Sequence, residues 1–477
     1  MNCKVTRRQL LKGAAVLGTG TVLAACQQPT PVPPTQAPPP AATVASLPTP
    51  SGDECDNHDV FHPLLSQSEK VTLVQWDSCE SETISAFYDQ LASEFSEVYP
   101  NVTMVGQHAQ SAENFVAACA AGTAPDMWSG GWNPERMGVW AKNGCLMAID
   151  EFLAETDFPK DRFIPGCWDT VEMDGKTWGL PNGVGVYMLW YNPNHLKEIG
   201  TGFPKDMDEL WADADKLTKR DAAGDITNLG MKLTTWFWEH LTWICSFGGR
   251  IWDVEKNEPT PDHPGVIAAL EDLAAAAKRY GIDQLDRWSA SIGGQEGVQQ
   301  PFMTGHLSMM IDGDWYLQQI DEMKKEWTPG ADFGVDVAPY APKSKLQGEP
   351  GVSLWVWPHT ISSQTKQGRW CWEYQRWSVS RERAIKGAST TRDLISTMCY
   401  LRDPRVSWES AKAIVRFIDA GKVGISPLPM TPISGEYSDL IGAAVDEVVH
   451  LKISPKDAMA RVKQEAGELW AKAQGKS

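Results

Sequence analysis

The stretch VTLVQWDSCESETISAFYDQLASEFSEVYPNVTMV, residues 71–105, decides the fold. It opens on Val71 to Asp77, a short apolar run that reads as a buried strand. Ile84, Phe87, Tyr88, Leu91, Phe95 and Val98 then recur at three- and four-residue spacing, one face of an α-helix that must stop before Pro100. A second strand, Val102 to Val105, follows. Two strands joined through a helix imply a parallel crossover and an α/β lobe.

Downstream the pattern repeats. Ser111 caps a helix carrying Phe115 and Val116 that ends at Gly122, and Pro125 to Trp128 reads as the next strand. Asn133-Pro134-Glu135 starts another helix, which Gly144 stops. Asp174-Gly175 predicts a tight hairpin, and Pro181 leads into an apolar run, Val184 to Tyr191, where the chain first crosses between lobes. Helices are predicted at Met207 to Leu217 and Pro264 to Tyr280, a strand at Leu307 to Ile311, and a return crossing near Pro350-Gly351. In open sheets of this kind ligands sit beyond the carboxyl ends of strands, where Trp76, Asp77, Asp126, Trp128 and Trp132 fall.

Ahead of this body, Lys4, Arg7, Arg8 and Lys12 precede an apolar stretch, Gly13 to Ala25, too short to span a bilayer. Residues 1–25 therefore read as an export signal. Thr6 to Lys12 resembles the twin-arginine signal, and Leu23-Ala24-Ala25-Cys26 the lipobox of bacterial lipoproteins, which makes Cys26 the acylated residue and the membrane attachment. Residues 26–65, rich in Pro, Thr, Ala and Gln at their start, form an extended tether. The expected location is the outer face of the cell membrane.

Composition narrows the rest. The body exceeds the size at which one hydrophobic core keeps growing, so two lobes are expected. The net charge of −18 becomes more negative once the basic leader is set aside, which argues against nucleic acid. Ten cysteines contain no Cys-x-x-Cys pair; Cys3 leaves with the signal, and most of the others read as small buried side chains, with one or two disulfides left unpaired by sequence. Nine histidines form no ligand-spaced cluster, and neither a metal nor another cofactor is expected. Tryptophan, at 22 residues, outnumbers tyrosine at 10 and phenylalanine at 13. Indole faces pack in cores, but they also pack against the C–H face of a pyranose, so most of the 22 are expected inside and a handful against ligand.

The order of segments resembles the extracellular solute-binding proteins of family 1, the group that includes maltose-binding protein. The likeness rests on FSEVYPNVTMV (95–105), AGTAPDMW (121–128), DGKTWGLP (174–181) with Trp190-Tyr191-Asn192, Phe203 to Leu217, Gly248-Gly249 and FMTGHLSMMIDGDW (302–315). It implies a two-lobed α/β fold with a ligand cleft and hinge closure, lobe one being 66–182 with 352–400 and lobe two 187–348 with 403–477. It further implies a monomeric receptor that captures a carbohydrate and delivers it to the permease of an ABC importer, without catalysis. Trp315 aligns with a sugar-stacking tryptophan, Trp76 and Asp77 follow the first strand, Asp126 and Trp128 open a contact loop, Trp236 and Trp238 offer lobe-two aromatics, and Tyr437 closes over the cleft. Asp314, beside Trp315, and Trp355, near the return crossing, complete the candidate ligand set. For Asp77 a helix-capping role competes, for Asp126 the ordering of its loop, and for each tryptophan a place in the core. Trp236 and Trp238 cannot both face a cleft if their segment is extended. Gly185 stands where the maltose receptor has a ligand-contacting carboxylate, so maltose is not supported and the sugar stays open. The competing readings are a non-sugar solute such as a peptide or polyamine, and an exported carbohydrate-active enzyme, for which no pair of carboxylates is singled out.

Overall fold

The computed structural model describes residues 61–475 except 80, 130–133, 235, 294–296, 420–423 and 426–427. The leader, Cys26, the tether up to residue 60 and Trp132 lie outside the described residues, so their predicted roles have no structural counterpart here.

Strand β1 (Val71–Trp76) runs into a helix over Glu82–Val98 and returns as β2 (Val102–Gln107), parallel to β1 with Val71 opposite Val102. The helix starts where Ser81 accepts the amide of Ile84, and it buries Phe87, Tyr88, Leu91 and Phe95. A second helix, Ala112–Ala121, is capped by Ser111 and closed by Gly122 at φ 73°, a left-handed position that glycine takes without strain. It leads to β3 (Met127–Ser129), parallel to β1. The hairpin of β4 (Glu172–Met173) and β5 (Lys176–Thr177) turns on Asp174 and Gly175, both at positive φ as a two-residue hairpin turn requires.

Strand β6 (Leu180–Tyr191) is the spine of the molecule. After it come β7 (Lys219–Arg220), β8 (Ile226–Met231), the small ribbon of β9 (Trp252–Asp253) and β10 (Glu258–Pro259), β11 (Leu307–Gly313), β12 (Gly334–Asp336), β13 (Val352–Ile361), β14 (Leu394–Ile395) and β15 (Gly424–Ile425). The principal sheet has the order β2-β1-β3-β13-β6-β11-β8-β7. The first half of β6, Leu180 to Val186, pairs antiparallel with β13, while its second half, Tyr187 to Tyr191, pairs with β11. One strand therefore belongs to two half-sheets, and the handover falls at Val186–Tyr187. Strand β13 makes the return, pairing through His359 to Ile361 with β3.

The helix Met207–Leu217 packs on β8 and β11 with Leu210 and Trp211 buried, and Pro264–Tyr280 packs against the helices Phe237–Ser246, Ser434–Val449 and Pro455–Ala473 with Leu270 and Leu273 buried. Cys119 and Cys145 form a disulfide, Cys399 is also disulfide-bonded, and Cys79, Cys167, Cys245 and Cys371 are free and buried. Among the described residues no helix is long and apolar enough to cross a membrane, and no group of His, Cys, Asp and Glu is arranged to hold a metal ion.

Candidate functional site

Where β6 changes partners, the chain assembles a continuous aromatic cluster. Trp355 and Trp357 alternate along β13 and lie 4.8 Å apart between ring centroids. Trp238, on the helix Phe237–Ser246, stacks on Trp355 at 5.6 Å and 29°. Trp315, at the start of the helix Tyr316–Met323, meets Trp355 edge-on at 5.6 Å and Tyr187 of β6 edge-on at 5.1 Å. Two glycines make this possible. A side chain at Gly185 would begin 1.9 Å from Nε1 of Trp355, and one at Gly313 would begin 2.2 Å from Cη2 of Trp315. Both indoles thus lie on bare backbone, in space that any other residue would fill.

Most of the cluster is shielded, with Trp238, Trp355 and Trp357 buried, but Trp315 is half-buried and Trp236 is 53% exposed. The segment around Trp236 is a helix start and not an extended strand: Trp236 is the residue before the first turn, its amide donating to Glu239 at 3.3 Å, and Trp238 lies within that turn. The two indoles diverge, one to solvent and one into the stack.

Acidic groups frame the aromatics. Asp314 is wholly buried; Oδ1 accepts the amide of Val186 at 2.9 Å, Oδ2 accepts the amide of Leu394 at 3.0 Å, and its own amide donates to Val186 O at 3.0 Å. It locks the turn after β11 to β6 at the handover and to β14. Burial, together with the neighbouring charge of Asp393, raises its pKa well above the carboxylate range, and burial pushes Asp393 up to about 7. Burial, reinforced by Glu239, lifts Asp312 to about 6. Tyr187 is held above the usual phenol range by burial and by the nearby carboxylates Asp312, Glu239 and Asp314.

The other predicted residues sit elsewhere. Trp76 is half-buried at the end of β1, opposite Trp128. Asp77 is fully buried and its oxygens have internal partners: Oδ1 accepts the Cys79 amide at 3.0 Å and Oδ2 pairs with Nδ1 of His108 at 2.7 Å. Burial raises the Asp77 pKa; at His108 burial works against the charge, yet hydrogen bonds to Asp77 and Asp89 prevail and its pKa stands above the ordinary value. The helix cap that Asp77 competed for is Ser81. Asp126 orders its loop, accepting the Val74 amide at 2.8 Å and the Thr365 hydroxyl at 2.5 Å. Trp128 is 2% exposed and packs against Phe115 and Trp140, inside the core. Tyr437 is fully buried, and its hydroxyl donates to the Ile251 carbonyl at 2.6 Å, so in this conformation it presents no surface to a cleft. Tyr187, Asp312 and Asp393 were not singled out from the sequence. The alternation of Gly185 and Tyr187 in a predicted crossing strand was the available signal for the first.

Residues 90–412 match the family model of the bacterial extracellular solute-binding proteins, and the chain belongs to that family. It is similar to the galactooligosaccharide-binding protein of Bacillus subtilis, 23% identical over 426 residues that cover 86% of this chain and 92% of that one. A Brucella abortus relative is 28% identical over 219 residues, so the match takes in 45% of this chain and about half, 49%, of the relative's length. Among solved structures, CpMnBP1 with mannobiose bound superposes with a TM-score of 0.70 at 22% identity, over 83% of this chain and 100% of that one. The fold is thus the two-lobed α/β architecture of these binding proteins.

Proposed function

We propose that the protein is the solute-binding component of an ABC importer, and that it captures a mono- or oligosaccharide outside the membrane and passes it to the permease. The observation that carries this reading is the aromatic cluster at the β6 handover, where half-buried Trp315 rests against Trp355 and Tyr187, Trp238 and Trp357 pack on Trp355, and exposed Trp236 hydrogen-bonds to Tyr187 through its side chain. An apolar ring face held rigid beside carboxylates suits a ligand with one C–H face and a rim of hydroxyls. Relatives named for oligosaccharides support the same class. Within the candidate set, Trp236 and Trp315 touch ligand, Trp355 with Trp238 behind it holds Trp315, and Asp314 fixes the turn that presents Trp315. Trp76 stands at the end of β1, where the opposing lobe supplies its surface.

The two lobes divide at the crossings of β6 and β13, and a ligand bound to both favours the closed arrangement, because only there are both sets of groups paired. The protein works as a single chain, without cofactor, held to the membrane by lipid on Cys26. The deciding experiment is a thermal-shift panel of mono- and oligosaccharides on the soluble body. At about a thousand times the dissociation constant a ligand adds about 4 kcal/mol to native stability. A shift with one sugar class supports the reading; a flat sugar panel with a shift from peptides or polyamines assigns the fold another solute. Radiolabelled fatty acid retained by wild type but not by Cys26→Ser tests the anchor.

A further inference from the structure

Two carboxylates on one short helix reach from the proposed second lobe to the first. The helix Tyr316–Met323 starts at Trp315, and Asp314 just ahead of it is tied to Val186 and Leu394 at the crossing. Near the helix's other end Glu322 accepts the Thr83 hydroxyl at 2.9 Å, and Asp321 accepts the Nε–H of Arg392 at 2.7 Å. Thr83 lies in the first turn of the helix Glu82–Val98 and Arg392 ends the helix Arg381–Thr391, so both partners belong to the proposed lobe one. Arg392 reaches across a second time, its guanidinium 5.4 Å from the centre of the Trp408 ring. Arg136 and Asp439, 3.3 Å apart, tie the same two lobes at another place.

This placement makes the helix a lever. Its eight residues span about 12 Å, with the start fixed at the crossing and the far end on lobe one. A hinge rotation of about 15° would carry the far end about 3 Å, which takes both of its pairs beyond hydrogen-bond reach. The contacts therefore exist only while the lobes are closed. Thr83, Asp321, Glu322 and Arg392 stand outside the candidate ligand set, so they can join the lobes before any solute arrives. Arg392 is 31% and Asp321 44% exposed, so water and salt screen the pair, and it holds weakly enough to release.

We infer that Thr83, Asp321, Glu322 and Arg392, with Arg136 and Asp439, form a clasp that populates the closed arrangement in the ligand-free protein. The inference rests on the two-lobed reading proposed above and is independent of which solute binds. A receptor that is partly closed when empty binds more tightly than one that closes from fully open, because the binding-competent fraction is larger. The clasp thus sets affinity from outside the ligand surface.

The test uses the full chain without ligand, at low ionic strength. Thr83→Ala/Asp321→Ala/Asp439→Ala should scatter as a more open molecule at small angles, with a radius of gyration about 1 Å larger than that of the wild type. Its melting temperature should stay within about 3 °C of the wild type, which excludes unfolding as the cause. Arg392→Asp, at a position with φ 61° that Asp tolerates, should open the molecule as well, and adding Asp321→Arg should return it to the wild-type radius. Unchanged scattering in the triple variant, or a reversed pair as open as Arg392→Asp alone, would overturn the inference. A flat sugar panel overturns the solute class and leaves these measurements as they are, so the two failures are told apart.

Discussion

The tryptophans packed beneath β1 and those on the crossing strands differ in what lies under each ring. In the first region Phe115, Trp128 and Trp140 touch one another edge-on and tilted at 4.6–5.5 Å, side chain against side chain in a closed core. In the second, Trp355 covers Gly185 and Trp315 covers Gly313, so each ring lies on backbone. A ring set on other rings is enclosed on every side. Trp355 is covered in turn by Trp238, whereas half-buried Trp315, laid on Gly313, keeps part of its surface for whatever arrives. The abundance of tryptophan therefore says little about binding, and the glycine under a tryptophan says much more.

The sharpest way to break this comparison is to delete one ring from each region. Trp128→Ala should cost about 3–5 kcal/mol of stability, read by denaturant melts, and leave the sugar affinity of the surviving folded protein within about twofold. Gly185→Val should cost about 1–3 kcal/mol through overpacking against Trp355, and it should also abolish the ligand-induced melting shift, because the indole must leave its place. Trp315→Ala should do the reverse of Trp128→Ala: affinity falls at least tenfold by calorimetry, while stability changes by about 1 kcal/mol or less, the ring being half-buried. Equal losses of affinity and stability in Trp315→Ala would erase the distinction.

The smallest effect is electrostatic. Asp393 has a folded-state pKa raised to about 7 from the usual 3.8, so the folded state binds an extra proton between those values. Its contribution is fully favourable below about pH 4 and is lost as pH rises through about 7. Asp393→Asn should flatten that decline and raise the melting temperature at pH 8 by about 2–4 °C relative to wild type, a shift that should vanish at pH 4. Asp403 behaves oppositely. Hydrogen bonds from Arg405 and Arg381 hold its pKa below the carboxylate range, so its contribution is present at neutral pH and is lost in acid.

Much of the scaffold was legible because it is written in local chemistry. The helices Met207–Leu217 and Pro264–Tyr280 begin and end where the caps and prolines place them, and Asp174-Gly175 makes its hairpin. The site was legible only in outline. That Trp128 and Tyr437 follow the right segments says where they fall along the chain, but a residue at a strand's end faces ligand or core according to the helix packed behind it. Trp140 and the Ile251 carbonyl, distant in sequence, make that choice for these two. Trp236 and Trp238 separate because a helix begins between them, and a boundary of one residue is the least readable feature of a sequence. Asp314 was noticed as a neighbour of Trp315; its ties to Val186 and Leu394 depend on tertiary registers that no local pattern encodes.

Trp236 stands apart as the one exposed tryptophan among the described residues. An indole in water emits at longer wavelength than one enclosed in protein, so among the described tryptophans Trp236 contributes most to the red edge of the intrinsic fluorescence. A ligand that settles on it should shift the emission to the blue while the enclosed indoles stay nearly constant. The protein thus contains its own optical titration probe, and Trp236→Phe would cut the signal back to the share of half-buried Trp315 without dismantling the stack of Trp238 on Trp355.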